Sequence, residues 1–551
     1  MPTCFLRKKL QTRASKLSSL TAKLSIRSRH VGAMAIGTLI SRLTGLFRLS
    51  VIAWSLGIST ISDIFNLSNN APNTFFDLLI GGVLASTITP VMVASASRTS
   101  RREARRALSA ITTITTIALV VSSIIFELLA PIIIRGYYVS NHQPTRDLQI
   151  QAATNLLRFF APQLFFYGII SLATSLLNTK RHFKVPAFAP IANNVVAIAT
   201  LALFHFSYSH LSESQRLYDL AHGSIPLFVL GIGTTAGVAI QCLVVIIAVL
   251  NSNISLSFIF DLRHSAVREI FRLSGWSFGY VVANQISLYV LLALAEGHQS
   301  GAVSAYNNSY LFFHLPYGIA AFSVMAAIIP DLSEFYTHGE LPNFIATLSK
   351  GLRVSVAPLI PFTALYFTAA PAIVTLLLGH GAASQTGIDQ TARSLEALGL
   401  GLVPFGSFLA LVQGLQAARA AKEVFFIYLV ENTVNVILAL VLVRSFGVFG
   451  LSLSVSIAYV IGTIVALLLM TRRGIRPRLM TTILSWTKIS IASVAMGIGI
   501  TYTSHKIPVS RGIGEIVYIG IELLIGGALF LGVLIGSYGI SIALKGKSQN
   551  V

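Results

Sequence analysis

The run VGAMAIGTLISRLTGLFRLSVIAWSLG, residues 31–57, is 27 residues long and contains two charged side chains, Arg42 and Arg48. A helix of about 20 apolar residues crosses roughly 30 Å of hydrocarbon, so this run is long enough to span a bilayer. Thirteen comparable stretches follow it, at about 70–96, 107–134, 153–178, 185–206, 226–250, 272–296, 306–330, 353–379, 396–417, 423–444, 447–470, 484–504 and 515–543. The sequence therefore reads as an all-α integral membrane protein with fourteen transmembrane helices.

Composition agrees. Of 551 residues, 54% are apolar and 11% are charged, against roughly 25% charged in soluble proteins, which excludes a water-soluble enzyme. The 40 Lys and Arg outnumber 19 acids, giving +21. Such an excess fits either nucleic acid or basic loops on a cytoplasmic membrane face. Counted from the N-terminus, the successive connections hold 8, 0, 5, 2, 3, 1, 3, 0, 2, 1, 2, 1, 4, 2 and 2 basic residues. The alternate set that starts with the N-terminus sums to 29 and the other set to 7. This asymmetry places the first set, and both termini, on the cytoplasmic side of the membrane. The positive charge is thus topology, and no nucleic-acid partner is expected.

The halves repeat. Spans one and seven begin near 31 and 271, spans four and ten near 153 and 396, an offset of about 240. Both halves start on the same side, which implies a pseudo-twofold axis along the membrane normal. The expected organisation is a basic cytoplasmic tail at 1–30, an N-lobe of six spans at 31–250 and a C-lobe of six spans at 272–470. Two extra helices follow at 484–543, then a short cytoplasmic tail at 544–551. No connection is long enough for a catalytic domain, although 135–152, 207–225 and 331–352 have room for short interfacial helices. Cys4 and Cys242 form no disulfide or metal framework. Walker A, G-x-S-x-G and H-E-x-x-H runs are absent from the sequence, so neither an enzyme nor a cofactor is expected.

Arg42 and Arg48 lie deep in the first span. An arginine near a helix centre costs about 2.5 to 3.5 kcal/mol on insertion scales, so the pair needs a wet cavity, acidic partners such as Glu127, Glu296 or Glu431, or an anionic substrate. Six residues set their side chains about 120° apart, and a bend at Gly45 would bring them together. Polar residues recur in both halves: Asp63 and Asn73 after the first span, Asn193 and Asn194 in the fifth, Asn284 in the seventh, Asn307 in the eighth. Together they suggest a shared polar cleft. Glu431 and Asn435, four apart on one face of span eleven, have oxygens suited to a small cation such as Na⁺, or to a proton.

Three stretches then point to a family. Ser41–Asn73 (SRLTGLFRLSVIAWSLGISTISDIFNLSNNAPN), Leu176–Asn194 (LLNTKRHFKVPAFAPIANN), and ANQISLYVLL with FFHLPYGIAAFSVMAAIIPDLSEF in spans seven and eight resemble the MurJ (MviN) family of lipid II flippases in the MOP exporter superfamily. The resemblance covers at least twelve spans and is nearest to the actinobacterial branch. It implies two six-helix lobes in an inverted V, with Arg42 and Arg48 holding the pyrophosphate of lipid II in a cationic cavity. It also implies a groove for the polyprenyl tail at the last two helices, and Asp63 at a family acidic position. The sequence departs from the proteobacterial pattern at Phe76 and Asp77, where a basic pair stands, and at Leu311, where an arginine stands; Arg158 is a candidate replacement.

The expected function is translocation of lipid II, or a similar polyprenyl-linked precursor, from the cytoplasmic to the outer leaflet by alternating access. Partners would be membrane lipids and proteins of cell-wall synthesis and division. The alternatives are a MOP exporter of another polyprenyl-linked glycan and a non-transporting cell-wall scaffold.

Overall fold

The computed structural model describes residues 37–78, 101–180, 182–252, 257–261, 275–506, 519–522 and 524–535, and every long element among them is a helix. In chain order these are α1 (Gly37–Leu56), α2 (Thr60–Phe76), α3 (Arg101–Tyr137), α4 (Arg146–Phe160), α5 (Pro162–Thr179), α6 (Lys184–Tyr208), α7 (Glu213–Ala221) and α8 (Ile225–Leu250). Then come α9 (Gly275–Glu296), α10 (Ala302–Pro316), one π-turn at Tyr317–Ala321, α11 (Phe322–Thr337), α12 (Leu341–Val356), α13 (Leu359–Leu378), α14 (Gln385–Leu400) and α15 (Leu402–Ala417). The last are α16 (Ala421–Arg472), α17 (Leu479–Lys506) and α18 (Ile519–Ile535).

Local chemistry sets the ends. Gly57, at φ 78°, turns the chain out of α1, where a side chain would be strained. Ser212 and Ser384 accept the backbone N–H of Gln215 (3.2 Å) and Gly387 (3.1 Å) at the starts of α7 and α14, as N-caps do. The connection 207–225 contains the short α7, and 331–352 runs from the end of α11 into α12.

Ten helical runs among the described residues are long and apolar enough to cross a membrane, or eleven when α14 and α15, bent by 50°, count as one. The fourteen expected spans map onto these unevenly. At 52 residues α16 would be about 78 Å long if straight, far more than one crossing. Gly447 (φ 56°, ψ −135°) breaks it. Ser454 Oγ donates to Asn435 Oδ1 (2.8 Å), and Gly462 lies against Glu431. Residues further before Gly447 meet residues further after it, so the two arms are antiparallel and correspond to the stretches 423–444 and 447–470. Most of the second expected span, at 79–96, lies outside the described residues, as do 507–518 and 536–543 around the last. The proposed tails at 1–30 and 544–551 lie outside them too.

Burial gives the shape. One core joins both halves, running through Ile61, Ile64, Ile134, Leu156, Leu220 and Leu230 in the first half to Leu292, Val303, Leu395 and Leu451 in the second. Besides a small cluster of Ala369, Met496 and Ile500, two larger cores are separate. One holds Ala107, Ile111, Leu172, Leu177 and Val245; the other holds Met325, Leu348, Leu411, Ile427 and Met470. The halves thus share a core near the α1–α2 and α9–α10 turns, whereas toward the opposite ends of the helices the cores of the described residues are separate. Across the halves, the main helix packing is α2 on α10 and α3 on α9.

Candidate substrate-binding site

Arg48 faces into the first half. It lines a cavity of about 150 Å³ with Asn69, Asn73, Tyr167, Asn193 and Thr234, drawn from α2, α5, α6 and α8. The Tyr167 hydroxyl donates to Gln163 Oε1 (3.2 Å), and Gln163 Nε2 donates to Thr235 Oγ1 (3.1 Å). Asn73 Nδ2 donates to the carbonyl of Asn69 (3.1 Å). The guanidinium therefore sits among neutral hydrogen-bonding groups, and among the described residues it is in no ion pair.

Arg42 faces the other way. Its guanidinium lies over Gly318 in the π-turn, so close that a methyl group there would come within 2.6 Å of Nη1. Among the described residues it too lacks a carboxylate partner, so the buried ion pairs with Glu127, Glu296 or Glu431 weighed from the sequence are not formed. Gly45 does not bring the arginines together: α1 is helical on both sides of it, and the two heads have different neighbours. Asn194 Nδ2 braces this stretch, donating to Thr44 Oγ1 (2.9 Å) and the Ser41 carbonyl (3.2 Å).

The remaining expected cleft residues fall in separate places. Asp63, 2% exposed, accepts the backbone N–H of Gly301 at Oδ2 (2.6 Å) and of Ser304 at Oδ1 (2.8 Å). A carboxylate of the first half thereby caps α10 of the second, where the helix dipole favours it. Thr60 with Ser300 (2.7 Å), Ser62 with Ser304 (2.7 Å) and Asn66 with Ser304 (2.9 Å) surround this contact. Asn141 Nδ2 donates to Glu296 Oε1 (3.0 Å) across the same seam.

Asn284 Oδ1 accepts from Asn432 (2.6 Å), and Asn435 Nδ2 donates to Ser287 Oγ (3.2 Å), tying α9 to α16. Glu431, 4% exposed, is buried close to Tyr306, Tyr310, Tyr428 and Tyr459 with no ion pair among the described residues. The Nδ2 of Asn307 is buried without a hydrogen-bond partner among the described residues.

At the positions where this chain departs from the proteobacterial pattern, Phe76 packs near the Tyr167 ring (6.1 Å between centroids) and Asp77 accepts from Gln285 of α9 (3.1 Å). Leu311 is 41% exposed. Arg158 does not replace the missing charges: it lines a different pocket, with Arg135 and Arg146. A further cavity of about 850 Å³, almost wholly apolar, runs between α13 and α17, with Phe367, Trp486, Val494 and Ile498 on its walls.

A sequence model described as lipid II flippase MurJ matches residues 52–520. The chain belongs to the MurJ family. That family is one of transporters rather than enzymes, and the chain is a multi-pass membrane protein. A lipid II flippase MurJ of Burkholderia cenocepacia is 26% identical over 444 residues, covering 80% of this chain and 82% of the relative. A probable lipid II flippase MurJ of Borreliella burgdorferi is 24% identical over 446 residues, covering 80% and 83%. Among solved structures, a lipid II flippase MurJ in an inward closed conformation superposes with a TM-score of 0.73 at 23% identity, over 92% of this chain and 99% of that one. An inward-facing multidrug resistance MATE transporter of the MOP superfamily reaches 0.59 at 14%, over 80% and 98%. These likenesses show a shared fold.

Tyr167 and Gly318 escaped sequence reading. Tyr167 is one aromatic among many in an apolar run. Gly318 had a signal in the P-Y-G-I-A-A run, a proline and a glycine inside a span, but nothing tied it to Arg42.

Proposed function

We propose that this MurJ family member translocates lipid II, the polyprenyl-pyrophosphate-linked peptidoglycan precursor, from the cytoplasmic to the outer leaflet by alternating access. Arg42 and Arg48 hold the pyrophosphate. One observation carries the assignment: two guanidinium groups on a membrane-crossing helix, without carboxylate partners among the described residues, directed at opposite halves of the molecule. Charge-assisted hydrogen bonds from the planar guanidinium suit a diphosphate, and such a ligand offsets the cost of placing arginine in the membrane.

The remaining parts follow the same reading. Residues 31–250 and 272–470 act as two lobes about a pseudo-twofold axis. Contacts between positions about 240 apart, such as Thr60 with Ser300, support that axis. The charge asymmetry gives cytoplasmic termini, so the end joined through Asp63 is extracytoplasmic and the separately packed ends face the cytoplasm. The large headgroup enters between them, and rocking of the lobes releases it outside. The apolar cavity on α17 takes the lipid tail. Glu431 and Asn435 bind a cation such as Na⁺, or Glu431 takes a proton, to reset the lobes.

Complementation of a MurJ-depleted bacterium tests the central assignment. Arg42→Ala and Arg48→Ala should each fail to support growth while reaching the membrane at normal levels. Full rescue by either overturns its role.

A further inference from the structure

Three arginines line one groove of the first half, which runs inward from the joined end. Arg135 near the end of α3, with Arg146 and Arg158 of α4, lines a groove of about 710 Å³ between these helices. Arg146 is fixed: its Nε donates to the carbonyl of Tyr138 (3.0 Å), and its Nη1 lies 3.5 Å from Asp147, whose side chain is 96% exposed. Arg135 and Arg158 are exposed and in no ion pair among the described residues. Glu127, one turn before Pro131 on α3, is exposed and in no ion pair with them.

The surroundings are lipid-like. Ile124, Leu128, Ile132 and Val139 are 54, 74, 65 and 67% exposed. The first three share the face of α3 that carries Arg135, and Val139 follows in the turn after the helix. Arg158 stands twelve residues into α4 from Arg146, about 18 Å along the helix. A cation at that depth is costly without an anionic partner. Basic residues at this end also run against the charge asymmetry, since the connections on its side hold 7 against 29 on the other.

We propose that the α3–α4 groove, lined along its length by Arg135, Arg146 and Arg158, binds the headgroup of an anionic membrane phospholipid, with an acyl chain along the Ile124–Leu128–Ile132 face. Arginine's planar fork matches phosphate oxygens, and the charge-assisted bonds supply the missing anion. The site is separate from Arg42 and Arg48. It uses the orientation proposed above only to name the leaflet, which is the outer one.

The test is native mass spectrometry of the full chain in micelles titrated with phosphatidylglycerol or phosphatidylcholine. Phosphatidylcholine carries the same phosphate together with a cation that the arginines repel. The wild type should bind phosphatidylglycerol about tenfold more tightly, because placing the choline cation beside guanidinium groups is an unfavourable like-charge contact. Arg135→Gln with Arg158→Gln should abolish that preference, whereas lysine at both positions should retain part of it. Arg146 is left intact because it holds the Tyr138 turn, and an unchanged melting temperature certifies the fold of each variant. Absence of a preference in the wild type overturns the proposal, as does its survival in the double glutamine variant. Competition by soluble glycerol phosphate as effective as by the lipid would make this a free-phosphate site and overturn the lipid as occupant. None of these readouts depends on lipid II transport, so this proposal and the flippase reading fail separately.

Discussion

Asp63→Asn should loosen the joined end of the molecule. The wild-type carboxylate accepts two backbone N–H groups of the second half, at 2.6 and 2.8 Å, in a buried site. Asparagine is nearly isosteric but has one acceptor oxygen, and its amide would turn a donor towards a donor. Losing one hydrogen bond to a charged group while leaving a buried N–H unsatisfied comes to about 3 kcal/mol. If the separated arrangement makes neither contact, the joined-to-separated ratio falls about 150-fold. Ser304→Ala is the matched control. Its hydroxyl serves Ser62 and Asn66 and also interacts with Asp63, but both backbone donors to Asp63 remain, so the loss should be about 1 kcal/mol.

Spin labels at His142 and Thr386, exposed positions in the two halves, report the change after Cys4 and Cys242 are replaced. Pulsed dipolar distances in reconstituted protein should gain a second, longer population in Asp63→Asn and stay close to wild type in Ser304→Ala. A distribution for Asp63→Asn that superposes on wild type, at an unchanged melting temperature, would refute the argument that this carboxylate ties the halves together.

Gly447→Ala should lower the melting temperature, because φ 56° with ψ −135° is accessible to little but glycine and a methyl group would sit 2.4 Å from His298 Nε2; strain of this kind costs about 1 to 3 kcal/mol, and a melt equal to wild type counts against it. Asn435→Ala removes bonds to Ser287 and Ser454 and should cost about 1 kcal/mol at typical intramembrane values. Glu431→Gln should keep the fold but lose any stabilisation by NaCl over choline chloride, since a bound cation raises stability by mass action. Identical sodium-dependent melting shifts in wild type and Glu431→Gln would remove Glu431 from ion coupling.

Much of the architecture was legible because membrane insertion writes it in one dimension. The run 31–57 predicts a helix, and the structure has α1 at Gly37–Leu56. The stretches 423–444 and 447–470 are the two arms that meet around Gly447, although only coordinates reveal that residue's left-handed backbone. The site was less legible because its contacts are made across hundreds of residues. Asp63 reads in sequence as one more polar residue of a cleft, yet its partners are backbone N–H groups about 240 positions away, which carry no side-chain signature. Arg158 reads as a replacement for missing cavity charge, but α4 presents it to a groove with Arg135. Helical spacing gives a side chain's angle about its own axis; it does not give what the neighbouring helix offers there.

The two arginines differ in what surrounds them, and the proposed cycle requires that difference. Arg48 is enclosed by α2, α5, α6 and α8, all within the first half. Arg42 leans on Gly318, in the second half. Rocking one half on the other preserves the first environment and changes the second. The pair is then a fixed anchor and a movable one, and a diphosphate gripped by both loses one grip as the halves turn. Release needs no neutralisation of charge, because a hydrogen bond weakens steeply once its geometry is lost. Lysine keeps the charge but not the fork, so conservative substitution separates the roles. Arg48→Lys, set among fixed amides and the Tyr167 hydroxyl, should lose most function, since a point charge cannot reproduce two parallel bonds in that cavity. Arg42→Lys, at an exposed position, should retain a substantial fraction of wild-type rescue. Equal behaviour of the two variants in complementation would mean that the arginines act as one cationic field rather than as anchor and latch.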